Sequence, residues 1–172
     1  VWEDGKLRVE RYWQLAYGPK WTESEAELLE RIDALLMETV TAHLLSDVPV
    51  GAFLSGGLDS TLIASYAART LGSELRTFSM GIPYRDLNEL PYAAAVAARY
   101  GTQHYAEEVT PSVVDDLPRL VSALDEPADP LSICLLHLAR MTARHVKVVL
   151  GGDGGDELFG GDGFLAMAGD EE

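Results

Sequence analysis

Two short apolar runs, each followed at once by a glycine-rich turn, constrain the fold of this chain most. The first run covers residues 48–54 and leads into Ser55-Gly56-Gly57, and the second covers residues 146–150 and leads into Gly151-Gly152. The first is a short, continuous apolar run, which is typical of a strand buried on both faces of a parallel sheet, and the second, which contains Lys147, is predicted as a further strand. Both turns are therefore predicted at the carboxyl ends of strands, where open α/β sheets bind ligands.

Helical and extended patterns alternate along the rest of the chain. The sequence predicts helices at about residues 23–45, 59–71, 88–100, 112–124 and 132–144, and further strands at about 75–80 and 102–109. Thr22 followed by Glu25 predicts a capping box at the start of the first helix, and Gly72 and Gly101 predict the ends of two others. Alternating strands and helices form right-handed βαβ units, so the fold class is α/β, a parallel sheet sandwiched by helices.

The chain divides into three segments of different character. Residues 1–22 read as an extended lead-in, residues 23–161 as the folded domain, and residues 162–172 as a small, acidic tail that we expect to be poorly ordered. A length of 172 residues suits one domain with a real hydrophobic core. Because the chain starts at Val1, we expect an upstream portion to be missing.

Composition excludes several classes of partner. The chain has 13 basic and 28 acidic residues, a net charge of −15, which argues against nucleic acid as a partner. No apolar run reaches about 18 residues, so no membrane-spanning helix is expected. Cys134 is the only cysteine and cannot form an internal disulfide, which favours a reducing cytoplasm as the location. We interpret Cys134 as a small, buried apolar residue.

The first glycine turn, Ser55-Gly56-Gly57-Leu58-Asp59-Ser60, has the properties of a phosphate loop. Its glycines let the backbone approach a ligand, and the free N–H groups at the start of the following helix attract an anion. A carboxylate such as Asp59 repels phosphate unless a cation lies between them, and Mg²⁺ is the simplest such cation. The turn has neither the lysine of a Walker A loop nor the dinucleotide fingerprint. A glycine turn without a ligand is the alternative interpretation.

The second glycine turn, residues 151–161, carries three acidic residues among its glycines, Asp153, Asp156 and Glu157. Such a flexible segment is costly to order unless a ligand fixes it. We expect it to face the first turn, so that Asp59 and Asp156 share one metal ion. An acidic surface loop and a calcium site are the alternatives, although the calcium-binding spacing is not matched.

Both turns resemble motifs of known synthetases. The first is similar to the PP-loop, Ser-Gly-Gly-x-Asp-Ser, of ATP pyrophosphatases. The second is similar to the Ser-Gly-Glu/Asp-Gly-x-Asp-Glu motif of the asparagine synthetase family. The resemblance covers about residues 7–161 and extends to further stretches, which are Arg11-Tyr12-Trp13, Phe78-Ser79-Met80-Gly81, Asn88-Glu89, Tyr92-Ala93, Gly101-Thr102, His104, Asp125-Glu126-Pro127 and Asp129-Pro130.

The resemblance implies a Rossmann-like PP-loop domain of the adenine nucleotide α-hydrolase type, truncated at its C-terminus. It implies that ATP adenylates the side-chain carboxylate of aspartate, that pyrophosphate leaves, and that ammonia then gives asparagine. The ammonia would come from glutamine in a glutaminase domain outside this chain. A homodimer is left open. By motif, Asp153 is the catalytic acid or base, and Asp59 and Asp156 bind Mg²⁺. The residues that contact ATP or pyrophosphate would be Leu54, Ser55, Gly56, Gly57, Leu58, Asp59, Ser60, Met80, Gly151 and Gly152.

Three departures from the family pattern lead us to expect weak Mg-ATP binding and poor catalysis from this chain alone. Gly151 replaces a common serine and loses a hydroxyl donor, Asp153 is one methylene shorter than the glutamate of some members, and the downstream region is absent. Two alternatives remain, an amide-forming relative that acts on another carboxylate and a non-catalytic nucleotide-binding module. The second acidic turn argues against a GMP or NAD synthetase.

Overall fold

The computed structural model describes residues 1–16, 18–84, 88–126 and 131–161, with Leu131 described by its backbone alone. The predicted tail at 162–172 and the resembling residues Pro127, Asp129 and Pro130 lie outside this part of the chain. The chain divides into two compact units, residues 1–33 and residues 34–172. No helix in the described ranges is long and apolar enough to cross a membrane.

The N-terminal unit contains a small hairpin that the sequence analysis did not predict. Strands β1 (Trp2–Glu3) and β2 (Lys6–Leu7) pair antiparallel. Asp4 and Gly5 between them have φ values of 49° and 75°. Asp-Gly with two positive φ values is typical of the tight turns that join neighbouring antiparallel strands. Part of the predicted extended lead-in thus forms two paired strands, joined by a turn that was not predicted.

The capping box of helix α1 (Glu25–His43) lies two residues after the predicted position. The Ser24 Oγ is 2.6 Å from the Glu27 Oε2, and the Ser24 N–H donates to the same carboxylate at 2.8 Å. The Glu27 N–H donates back to the Ser24 Oγ at 3.4 Å. Since the helix begins at Glu25, Ser24 and Glu27 have the spacing of a capping box and the predicted pair of Thr22 and Glu25 does not.

The second unit is built on a four-stranded parallel sheet, which confirms the predicted α/β fold class. Its strands are β3 (Val50–Phe53), β4 (Arg76–Gly81), β5 (Gln103–Glu108) and β6 (Val148–Leu150), in the order β5-β4-β3-β6. All three neighbouring pairs are parallel. The chain builds outward from β3 in one direction and then returns to add β6 on its other side. The gap between the ends of β3 and β6 is therefore a topological switch point.

Helices cover both faces of the sheet. They are α2 (Leu58–Leu71), α3 (Leu90–Tyr100), α4 (Val113–Leu124) and α5 (Leu131–Thr142), with a 3-10 turn at Gly72–Glu74. On one face, Leu54 and Leu75 pack with buried residues of α2 and α3. On the other, the fully buried Phe78 packs with Met141 of α5 and with Val146. Burying a phenylalanine side chain stabilises a fold by about 1.5–3 kcal/mol.

The second glycine turn contains a short helix where the sequence analysis predicted a flexible loop. Helix α6 (Gly155–Phe159) begins after Gly154 and ends at Gly160, and both flanking glycines are left-handed. The Gly160 N–H donates to the Asp156 carbonyl at 2.9 Å. This turn is therefore ordered by its own backbone hydrogen bonds.

Candidate functional site

A cavity of about 550 Å³ opens at the carboxyl ends of β3, β4 and β6. Both glycine turns line it, together with the ends of β3 and β4 and one face of α5. The predicted site residues that line it are Leu54, Ser55, Gly57, Leu58, Asp59, Ser60, Met80, Gly151, Gly152, Asp153 and Asp156. Gly56 is the predicted site residue that does not line it. The structure thus brings the predicted residues together, and their individual roles stay predictions.

The first glycine turn is held in shape by its two serines. The Ser55 and Ser60 hydroxyl oxygens are 2.9 Å apart. The Ser55 N–H donates to the Ser60 Oγ at 3.2 Å, and the Gly57 N–H donates to the Ser55 Oγ at 3.1 Å. Gly57 precedes α2 and makes no side-chain cap, and its carbonyl accepts from the Thr61 N–H at 3.1 Å and from the Ser60 hydroxyl at 3.3 Å. The N–H groups of residues 58–60 thus have no acceptor within the helix, which suits an anion.

Gly56, although outside the cavity lining, is the point where the first turn meets α3. Its φ is +92°, a conformation that favours glycine. A Cβ at Gly56 would lie 2.6 Å from the Tyr92 Cβ and 2.7 Å from the Ala93 nitrogen. Since these are atoms near or in the backbone of a helical turn, they cannot move aside easily. Gly56 is therefore required by close packing behind the turn.

The two glycine turns touch each other. A Cβ at Gly152 would lie 2.8 Å from the Ser60 nitrogen and 2.9 Å from the Asp59 carbonyl carbon. A Cβ at Gly155 would lie 2.7 Å from both carboxylate oxygens of Asp59. Two glycines of the second turn thus make room for the backbone and the side chain of the first. Asp59 lies at the junction of the two turns.

The carboxylates around this junction suit a magnesium ion that also binds phosphate. Asp59, Asp153 and Asp156 all line the cavity, and the Asp156 side chain also contacts Gly161. Within the described ranges, no three His, Cys, Asp or Glu side chains are grouped as a ready-made metal site. Mg²⁺ is usually held by only one or two carboxylates plus substrate phosphates and water. The oxygen donors present therefore fit Mg²⁺ delivered together with a nucleotide.

The end of β4 presents backbone groups to the cavity beside β3. The Leu54 N–H donates to the Phe78 carbonyl at 2.9 Å, and the Ser79 hydroxyl donates to the Leu54 carbonyl. Successive residues of a strand direct their N–H and C=O groups to opposite sides. The peptide groups of Met80, two residues after Phe78, therefore point toward the β3 side, beyond the last residue of β3. Met80 presents a donor and an acceptor there, whereas both groups of Leu54 already bond to β4.

Helix α5 forms a cavity wall that the sequence analysis missed. Cys134, Leu135 and Leu138 line the cavity together with the glycine turns. Cys134 is partly exposed, so its interpretation as a buried core residue was wrong. The three positions follow the i, i+1, i+4 spacing of one helical face. The sequence thus allowed these residues to be placed on one face of a helix. It did not indicate what that face would pack against.

A hydrogen bond between a histidine and a carboxylate ties this wall to α4. The His137 Nε2 lies 2.8 Å from the Asp116 Oδ2, and the Ser112 N–H donates to the same oxygen at 3.1 Å. The side chain of Asp116 is buried. The hydrogen bond from His137, and then that from the Ser112 backbone, hold the pKa of Asp116 below its usual value. The contact of His137 with Asp116 is therefore one that holds α5 to α4.

Comparisons with known proteins agree with this architecture. The family model described as asparagine synthase matches residues 31–169. Asparagine synthetase [glutamine-hydrolyzing] 1 of Bacillus subtilis (strain 168) is 38% identical over 160 residues, which are 92% of this chain and 25% of that protein. A putative asparagine synthetase [glutamine-hydrolyzing] of Mycobacterium tuberculosis (strain ATCC 25618 / H37Rv) is 42% identical over 157 residues, 89% of this chain and 24% of that protein.

A solved structure shares the fold. The NH3-dependent NAD synthetase from Campylobacter jejuni, in complex with the nitrate ion, matches with a TM-score of 0.51 and 18% identity. The match covers 75% of this chain and 58% of that one, and at this identity it shows the fold alone. This chain spans about a quarter of the length of the two asparagine synthetases above. The family match over most of the chain, with these two relatives, shows that the chain belongs to the asparagine synthase family.

Proposed function

We propose that this chain is the nucleotide-binding part of a synthetase that activates a carboxylate with Mg-ATP. We propose further that the parent protein converts aspartate to asparagine with ammonia released from glutamine. The observation that carries the proposal is the contact between the two glycine turns at the switch point, with Asp59 at their junction. Family membership supports the same reaction, since the relatives named above are asparagine synthetases that hydrolyse glutamine.

The first turn would bind the departing pyrophosphate. The backbone N–H groups of residues 58–60 point out of the N-terminal end of α2, where the helix dipole also favours negative charge. The hydroxyls of Ser55 and Ser60, which bond to each other here, would turn to donate to phosphate oxygens. Asp59 and Asp156 would hold Mg²⁺, which when bound offsets the charge that builds up on pyrophosphate. Donors fixed in place before the reaction lower the barrier because they need no reorganisation.

The reaction has two steps on the substrate. A carboxylate oxygen of aspartate attacks the α-phosphorus of ATP, and the bond from that phosphorus to the bridging oxygen breaks, so pyrophosphate leaves. Ammonia then attacks the acyl carbon, the bond from that carbon to the bridging oxygen breaks, and AMP leaves with the carboxylate oxygen that had attacked the phosphorus. Asp153 lines the same cavity, and we assign it the proton that the attacking ammonia must lose.

The opposite end of the cavity would bind adenine. The N–H and C=O groups of Met80 offer the donor and acceptor pair that an adenine edge requires. Cys134, Leu135 and Leu138 provide an apolar surface against which the ring would pack. Ligand pockets commonly combine such an apolar lining with a few placed polar groups. Adenine would thus lie between α5 and the end of β4, with the phosphates at the glycine turns.

Titration of the 172-residue chain with ATP tests the binding step. We expect Mg-ATP to bind weakly and ATP in excess EDTA to bind at least ten-fold more weakly still, because Asp59 repels phosphate without a cation. Cys134 is the only cysteine and lines the cavity, so bound Mg-ATP should slow its alkylation by iodoacetamide. Binding that is indifferent to the metal, or that leaves the alkylation rate unchanged, would contradict the proposal. Aspartate-dependent pyrophosphate release by the parent protein tests the reaction.

A further inference from the structure

The first turn of α3 lies behind the glycine turn that we propose to bind pyrophosphate. Gly56 packs against Tyr92 and Ala93 with no room for a Cβ. Ala93 is fully buried, and its N–H donates to the Glu89 carbonyl at 3.1 Å. Among the described residues that line the cavity, none belongs to α3. This helical turn can therefore affect the cavity only by moving the glycine turn, which it contacts at Gly56.

One side chain joins this first turn of α3 to the ends of two strands. The Asn88 Oδ1 accepts a hydrogen bond from the Leu90 N–H at 3.1 Å, at the start of the helix. The Asn88 Nδ2 donates to the Glu108 Oε2 at 3.2 Å, at the end of β5. Gly81, at the end of β4, has no room for a Cβ because the Asn88 Oδ1 would lie 2.7 Å from it. Asn88 thus bonds to the helix start and to β5 while packing on β4.

We propose that Asn88 is a positioning residue for the pyrophosphate-binding turn, which it controls through the first turn of α3. The inference rests on the proposed function and adds a residue to it. The serine hydrogen bonds join the glycine turn to Ser60 in the first turn of α2, but they do not reach α3. Gly56 supports the other side of the glycine turn through its contact with Tyr92 and Ala93. If the hydrogen bonds of Asn88 are lost, the start of α3 can move away from Gly56. The glycine turn then shifts, and its N–H donors no longer point at the bound phosphate.

This mechanism predicts a selective loss. The phosphate end of the ligand depends on the glycine turn, whereas the adenine end depends on Met80 and α5. Loss of the Asn88 bonds should therefore weaken binding of pyrophosphate and ATP but leave AMP almost unaffected. A residue that only stabilised the fold would weaken all three ligands alike or none of them.

The test compares Asn88→Ala with Ser24→Ala, which removes a capping side chain from α1 instead. Calorimetric titration of the 172-residue chain would give the affinities for Mg-pyrophosphate, Mg-ATP and AMP. We expect Asn88→Ala to weaken the first two about five- to ten-fold and AMP by less than two-fold, while Ser24→Ala changes none. Equal losses for all three ligands, or no loss, would overturn the inference.

A second measurement needs no ligand and separates this inference from the proposed function. Hydrogen exchange followed by mass spectrometry should show faster exchange in peptides covering residues 54–61 in Asn88→Ala than in the wild type or Ser24→Ala. Unchanged exchange there refutes the positioning role, whether or not the wild type binds nucleotide. Glu108→Ala removes only the exposed end of the Asn88 contacts and should give a smaller increase in the same peptides. If Asn88→Ala does not fold, Glu108→Ala takes its place in this measurement.

Discussion

The contact between the two glycine turns can be tested at Gly152, where an alanine would force them apart. The added Cβ would lie 2.8 Å from the Ser60 nitrogen and 2.9 Å from the Asp59 carbonyl carbon. Both neighbours are backbone atoms in the first turn of α2, so they cannot move aside by rotating. Ordinary contact begins near 3.4 Å, so the turns must separate by about 0.6 Å. A separation of that size at a phosphate site changes both stability and binding.

The size of each effect follows from the geometry. Overpacking of a well-packed site typically costs about 1–3 kcal/mol. For a domain of this length that lowers the Tm by about 2–12 °C. Moving the second turn away should also remove one or two hydrogen bonds to the phosphate oxygens of bound ATP. Each such bond to a charged group contributes about 1.5 kcal/mol or more to the binding free energy. We therefore expect the affinity of Gly152→Ala for Mg-ATP to fall about 10- to 100-fold.

Thermal melts and calorimetric titration of Gly152→Ala measure the two effects separately. Gly101→Ala is the matched control because its φ is +67° and its surroundings are open, so alanine there strains the backbone without a clash. Gly101 ends α3 at the far end from the turn behind Gly56, and the strain costs about 1–2 kcal/mol. We expect a similar loss of Tm with unchanged Mg-ATP affinity. Wild-type affinity in Gly152→Ala, or equal losses of affinity in both variants, would refute the reasoning.

Three further predictions concern carboxylates. Asp59→Asn should make ATP binding nearly independent of Mg²⁺, measured by titration with and without EDTA. Asp153→Asn in the parent protein should slow asparagine formation at least ten-fold while ATP affinity changes less than three-fold, measured by steady-state kinetics and titration. The lowered pKa of Asp116 means that its hydrogen bonds stabilise the fold above about pH 4 and are lost as the pH falls through that pKa. Urea unfolding should thus show Asp116→Asn less stable than wild type at pH 7, with the difference shrinking as the pH falls below about 4.

Local patterns in the sequence were enough to predict the strands of the sheet and their parallel direction. The run at residues 48–54 is apolar on both faces, as the largely buried β3 requires, whereas the strand predicted at residues 146–150 contains Lys147 and becomes the more exposed edge strand β6. Their glycine turns could be paired in advance because the carboxyl ends of neighbouring parallel strands meet at one edge. The presence of Asp59 and Asp156 in one cavity follows from that rule.

Features set by packing between distant segments were not predictable in the same way. Cys134 has the sequence context of a core helix, and only the placement of α5 over β4 makes it a cavity residue. The family resemblance includes Asn88 but assigns it no role, and local patterns do not show its bond to Glu108, which joins positions 20 residues apart. The hairpin at residues 2–7 was different, because Asp4-Gly5 is a local turn signal that the sequence analysis did not use.

The strand order β5-β4-β3-β6 has a consequence for how this domain responds to its ligand. The two halves of the nucleotide site stand roughly 100 residues apart along the chain, so the site exists only after the entire crossover has been assembled. A nucleotide that contacts both halves would therefore bind the completely folded domain and would not bind a folding intermediate that lacks one half. At a concentration one hundred times its Kd it would stabilise the domain by about 2.7 kcal/mol. The bound nucleotide would thus raise the free energy of unfolding of the domain as well as serve as a reactant.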